Sequence, residues 1–162
     1  MFDEKSAVIG SIVEIKVGEH KGTWKVIEKT KVNDPNNGSF SLRMKLDRNT
    51  KVAGDEIILE FLDLYRDYLY LFKPFESFDR KSKGDEWPPP MTIDVDDETY
   101  YSLIDNDDLM NTGFEGETPT GIIHHWEYEN EDTTKCLSIY LKNGWIEMFI
   151  GERVLESFIE VY

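Results

Sequence analysis

The chain has one cysteine in 162 residues, Cys136, so no disulfide can form within it. A reducing, cytoplasmic setting is the expectation. Long apolar runs are also missing. The best stretch, Ile57 to Phe72, is broken by Glu60, Asp63, Arg66 and Asp67. A membrane span needs about 20 largely apolar residues, so no membrane insertion is expected. The opening Met-Phe-Asp-Glu-Lys lacks the basic start and apolar run of a secretory signal. The sequon Asn37-Gly38-Ser39 is therefore read as chance. There is no Gly-rich phosphate loop, no Gly-x-Ser-x-Gly and no Cys-x-x-Cys, and only three histidines. No cofactor is expected.

Basic residues are scarce: 18 Lys and Arg stand against 33 Asp and Glu, for a net charge of −15. The imbalance is confined. Residues 1–73 carry 12 basic and 12 acidic groups, whereas residues 74–162 carry 6 and 21. Such a field repels nucleic acid and favours basic partners. Trp24 lies among Lys21, Lys25, Lys29 and Lys31, but Glu19 and Glu28 dilute that patch. Nucleic-acid binding is not expected.

What is present reads as mainly β: antiparallel hairpins forming a barrel or sandwich, with one short helix. Val13, Ile15 and Val17 alternate with Glu14 and Lys16, and a turn follows over 18–22. Phe40, Leu42, Met44 and Leu46 point inward, with Ser41, Arg43 and Lys45 outward. Residues 56–75 fit either a helix, with Ile58, Phe61, Leu62, Tyr65, Leu69 and Phe72 on one face, or two strands joined near Tyr65-Arg66-Asp67, the reading favoured by Tyr68 to Phe72. Four of the six prolines fall within 74–91, a connector between a near-neutral half (1–73) and an acidic half (92–162), with a single domain overall as the alternative. Thr92 to Asp96 suits a short strand, and 97–110 a short helix with acids at its start. Asn111 to Pro119 reads as a loop.

The clearest signal is Asn143-Gly144, the preferred pair for a two-residue hairpin turn. It sets Leu141 against Ile146, Ile139 against Met148 and Leu137 against Ile150, all apolar pairs. Turn and burial predict the same register. Gly151-Glu152 offers a second turn, and Ser157 to Tyr162 a last strand.

Few residues suggest chemistry. On a strand His125 and Glu127 share one face, with His124 and Trp126 on the other. Two ligands at that spacing can begin a metal site, but zinc needs three or four. Asp105-Asn106-Asp107-Asp108 starts like a calcium loop, then places Leu109 and Met110 where an oxygen ligand and glycine belong. Cys136 has acidic surroundings that disfavour a thiolate.

Several segments share a spacing of aromatics and glycines: Gly10-Ser11-Ile12-Val13, Gly22-Thr23-Trp24-Lys25-Val26, Trp126-Glu127-Tyr128, Leu137-Ser138-Ile139 and Gly151-Glu152-Arg153-Val154. They resemble a bacterial family of small β-rich domains of unknown function. The resemblance implies a bacterial source and a non-catalytic accessory role, and supplies no functional residues. The expected function is a non-enzymatic protein-binding or accessory module with an acidic surface, for example an inhibitor or immunity protein for a basic partner. Its contact residues would be Asp94, Asp96, Asp97, Glu98, Asp105, Asp107 and Asp108. The alternative is a small metal-dependent enzyme centred on His125 and Glu127. Metal in the purified protein, or a deep pocket where those two residues converge with other acids, would favour the alternative; an empty, shallow, acidic surface would favour binding.

Overall fold

A computed structural model describes residues 5–33, 40–48, 56–62, 68–79, 91–102, 114–118 and 121–162. The strands are β1 (Ile12–Ile15), β2 (Gly22–Asn33), β3 (Phe40–Asp47), β4 (Glu56–Leu62), β5 (Tyr68–Asp79) and β6 (Thr92–Val95). They continue as β7 (Glu98–Ser102), β8 (Phe114–Thr118), β9 (Gly121–Asn130), β10 (Lys135–Lys142), β11 (Trp145–Leu155) and β12 (Ile159–Val161). Among the described residues the only helical turn is a 3-10 turn over Glu156–Phe158.

All pairings are antiparallel, in the order β12-β1-β2-β3-β4-β5-β11-β10-β9-β7-β6. The path has two open ends and is not closed. β8 pairs with β9 over five positions and with β2 only through Asn33 and Glu117.

Mainly antiparallel β structure is what the sequence predicts, and the Asn143-Gly144 register holds at all three apolar pairs. Both turn residues have positive φ, 52° and 77°, as a type I′ turn requires. β4 and β5 are two strands, as read from residues 56–75.

Four local expectations are corrected. The helix expected over 97–110 is a strand where described, Glu98–Ser102, and the rest of that span lies outside the described residues. Its first acid, Asp97, forms a hairpin turn with Asp96, with φ of 66° and 49°. Phe114–Thr118 is a strand, not a loop. Gly151-Glu152 runs straight through β11 instead of turning. The start of the proline-rich connector, Pro74 to Asp79, extends β5. The register against β11 slips at Phe75, between Pro74 and Glu76. A proline without an N–H fits at such a bulge.

Alternation along the strands sorts the side chains into three clusters. The first core gathers Val13, Trp24, Val26, Met44, Leu59, Leu71 and others from the N-terminal strands, with Val154 and Ile159 returning from the C-terminus. The second gathers Tyr100, Trp126, Tyr128, Leu137, Ile139 and Ile146. The third lies on the opposite face of the shared strands. In β5, Leu69 and Leu71 join the first core while Tyr70 and Phe72 join the third. In β10, Leu137 and Ile139 join the second core while Cys136 and Tyr140 join the third. A register slip at Ile27 turns β2 over, so Val26 serves the first core and Val32 the third.

A candidate metal centre in the third cluster

The third cluster carries the buried charge. β4 reads Ile-Ile-Leu-Glu-Phe-Leu and sends Ile57, Leu59 and Phe61 to the first core. Glu60 therefore points to the other face, and it is fully buried there. β9 contributes His125 and Glu127 to the same cluster, with Trp126 and Tyr128 in the second core. Opposite them on β10 stand Tyr140 and Ser138. Arg43 on β3 is the direct cross-strand neighbour of Glu60.

Strands β4 and β9 are four steps apart in the sheet order. At 4.7–4.9 Å per step, a flat sheet would hold them about 19 Å apart. Instead His125 Nε2 lies 3.7 Å from Glu60 Oε1. The sheet curls, and side chains of β4 and β9 meet on this face.

His125 Nε2 contacts Glu127 Oε1 and lies 3.2 Å from Ser138 Oγ. Ser138 Oγ donates to Glu127 Oε1 at 2.9 Å, and the Tyr140 hydroxyl donates to Glu60 Oε2. The His125 ring stacks on Tyr140, with centroids 4.2 Å apart. Arg43 lies over the other aromatic faces, 3.6 Å from the Tyr140 centroid and 4.8 Å from that of Phe149. Its Nε stops 3.8 Å from Glu60 Oε2, too far for a hydrogen bond. Three buried atoms have no hydrogen-bond partner here: Arg43 Nε, Glu60 Oε1 and Glu127 Oε2.

Burial sets the protonation of the group. It drives Glu60 well above the usual carboxylate range, and the neighbouring Glu127 charge adds to the shift. It lifts Glu127 to about 7, against hydrogen bonds from Glu60 and Ser138 that pull the other way. It lowers His125 to about 4, although the Glu60 charge opposes this. Tyr140 is pushed well above its ordinary value, again chiefly by burial. The imidazole is thus neutral near pH 7 and free to offer a lone pair. Burial favours the protonated form of both carboxyls, most strongly for Glu60, and a cation would displace those protons. One ligand atom each from Glu60, His125 and Glu127 lie within 4.8 Å of one another, in the only such group of three among the described residues.

His125 and Glu127 thus share a face as the sequence predicts, and they converge with a further acid. Glu60 and Arg43 went unread. Arg43 follows the outward parity of β3, but that face is covered. A signal for Glu60 exists: β4 is apolar on both faces, so its one central charge has no solvated side.

The expected partner surface is placed only in part. Asp94, Asp96 and Asp97 are exposed at the β6–β7 hairpin, and Asp94 accepts a 2.6 Å hydrogen bond from the Thr99 hydroxyl. Glu98 pairs with Lys135 at 3.4 Å. Asp105, Asp107 and Asp108 lie outside the described residues. Asp96 and Glu98 border an open groove of 380 Å³ that also includes Glu19, Lys73, Lys135 and Glu152. Lys73 pairs with Glu19 at 3.0 Å, so two of the groove's acids are already neutralised by lysines.

The family described as a domain of unknown function (DUF4178) matches residues 9–156, and the chain belongs to it. No curated protein and no solved structure matches the chain.

Proposed function

We propose that this member of the family is a metal-dependent protein whose Glu60, His125 and Glu127 bind one divalent transition-metal cation. The observation that carries the reading is the convergence of one ligand atom each from the buried Glu60, His125 and Glu127 within 4.8 Å of one another. Two carboxyls removed from water must either hold protons or be accompanied by positive charge. Arg43 supplies one such charge, but its Nε does not reach hydrogen-bond distance.

The donor set narrows the cation. One imidazole nitrogen with two carboxylates suits zinc, manganese or iron(II) better than calcium, which takes six to eight oxygens. Three protein ligands are the number seen at catalytic zinc sites, which keep a position for water or substrate. Structural zinc sites close with four. The arrangement therefore favours an enzyme-like centre over a structural staple. The Ser138 hydroxyl and the Tyr140 hydroxyl are the supports that would orient Glu127 and Glu60.

The test is calorimetric titration of metal-stripped protein with Zn2+ and Mn2+. The parent should bind one equivalent. Glu60→Gln and His125→Ala should each weaken binding by about 10-fold or more, given the loss of a direct ligand. Circular dichroism would show that each variant is folded. A folded parent that takes up no cation, or a Glu60→Gln protein that binds as the parent does, would overturn the reading.

A further inference from the structure

Arg43 is the one member of the cluster that reaches solvent. Its side chain is 18% exposed, against 0% for Glu60, 8% for His125 and 3% for Glu127. The guanidinium lies over Tyr140 and near Phe149, so aromatic packing directs it together with its 3.8 Å ion pair to Glu60. The buried Nε donor has no acceptor.

The charge count gives this arrangement a meaning, and here the argument rests on the metal reading above. A divalent cation cancels Glu60 and Glu127, and His125 is neutral. Arg43 is then left as an uncompensated positive charge beside the cation, at the side of the cluster open to water. A guanidinium offers five donors in a rigid fork that matches carboxylate and phosphate oxygens two at a time.

We infer that the centre takes an oxyanion ligand, a carboxylate or phosphate group, bound between the cation and the Arg43 guanidinium. The cation would accept one oxygen at the position its three protein ligands leave free. Arg43 would donate to another. A neutral ligand would leave the guanidinium unmatched, and a cationic one would be repelled.

Cobalt-loaded protein gives a direct test, because the visible spectrum of Co2+ reports its coordination. The probes are inorganic phosphate and acetate, titrated separately into parent, Arg43→Lys and Arg43→Gln proteins. The parent spectrum should shift and saturate with at least one of the two anions. Arg43→Gln should still bind one Co2+ but lose anion affinity by about 10-fold to 100-fold, as expected for removing a charged hydrogen-bond donor. Arg43→Lys, which keeps the charge and loses the fork, should fall between them. Phosphate alone, acetate alone, or both responding would separate the two chemistries. If Co2+ binds but neither anion changes the spectrum, or Arg43→Gln responds as the parent does, this inference is overturned while the metal centre stands. If the parent binds no Co2+, the metal reading fails and takes this one with it.

Discussion

Glu60, Glu127 and His125 pull stability in opposite directions with pH. A carboxyl whose folded pKa is raised contributes most while protonated. Its contribution is complete below the unfolded value near 4.5 and is lost as pH rises through the folded value, about 7 for Glu127. Glu60, raised further, extends that loss to higher pH. His125 behaves oppositely: its folded pKa is lowered from 6.5 to about 4, so stability falls as pH drops through that interval. The two carboxyls outweigh the histidine, so the metal-free protein should melt earlier as pH rises from about 4.5 through about 7, and Glu60 carries the loss to higher pH. Glu60→Gln keeps the shape and cannot ionise. Thermal melts of the two metal-free proteins should diverge on the alkaline side, with the variant the flatter. Parallel curves would mean that Glu60 is not sealed from water. Cys136 gives a second check at this scale. Burial, helped by the Glu127 charge, holds its thiol well above the ordinary range. A thiol reagent at about pH 8 should leave the native protein unmodified and label it fully after denaturation. Rapid labelling of native protein would show that the third cluster is open.

Two elements join the halves of the sheet, and both depend on particular side chains. β5 and β11 pair over their whole length, from Tyr68 with Leu155 to Asp79 with Trp145. At Gly151 an added Cβ would stand 1.8 Å from the Leu71 carbonyl oxygen. That contact is backbone and cannot swing aside. Gly151→Ala should cost several kcal/mol or prevent folding, beyond the roughly 1–3 kcal/mol of ordinary overpacking. A variant that melts with the parent would contradict the pairing. Ile139→Ala and Ile146→Ala, both fully buried in the second core, should each cost about 2–5 kcal/mol in denaturant unfolding. A change below about 0.5 kcal/mol at both would contradict the register.

These same elements show what sequence can and cannot reveal. The β10–β11 hairpin was legible because a turn signal and an apolar alternation agree independently. Gly151 was misread as a turn because a glycine needed for close backbone approach looks the same in one dimension. Asp97-Glu98 reads as a helix start because acids suit a helix N-terminus as well as a turn, and Asp is at home in both. His125 and Glu127 were legible as a pair because they are local, two residues apart. Their convergence with Glu60 was not, since it depends on how far the sheet curls, and no periodicity encodes that.

At the scale of the whole molecule, the proposed cation would bridge β4 and β9, which no ladder joins. A ligand that binds only the folded chain stabilises it by mass action, by about 2.7 kcal/mol at a hundredfold excess over Kd. Since the carboxyls must give up protons to bind, the rise in Tm with Zn2+ should be larger at about pH 8 than at about pH 6. Equal shifts at both would point to binding at groups that are already ionised, such as the exposed acids of the C-terminal half. The most direct measurement is X-ray absorption of the zinc-loaded protein. The account predicts a first shell of one imidazole nitrogen with oxygens at about 2.0–2.2 Å and no sulfur. A sulfur at about 2.3 Å, a shell of water oxygens without imidazole, or an imidazole signal that survives His125→Ala would contradict it.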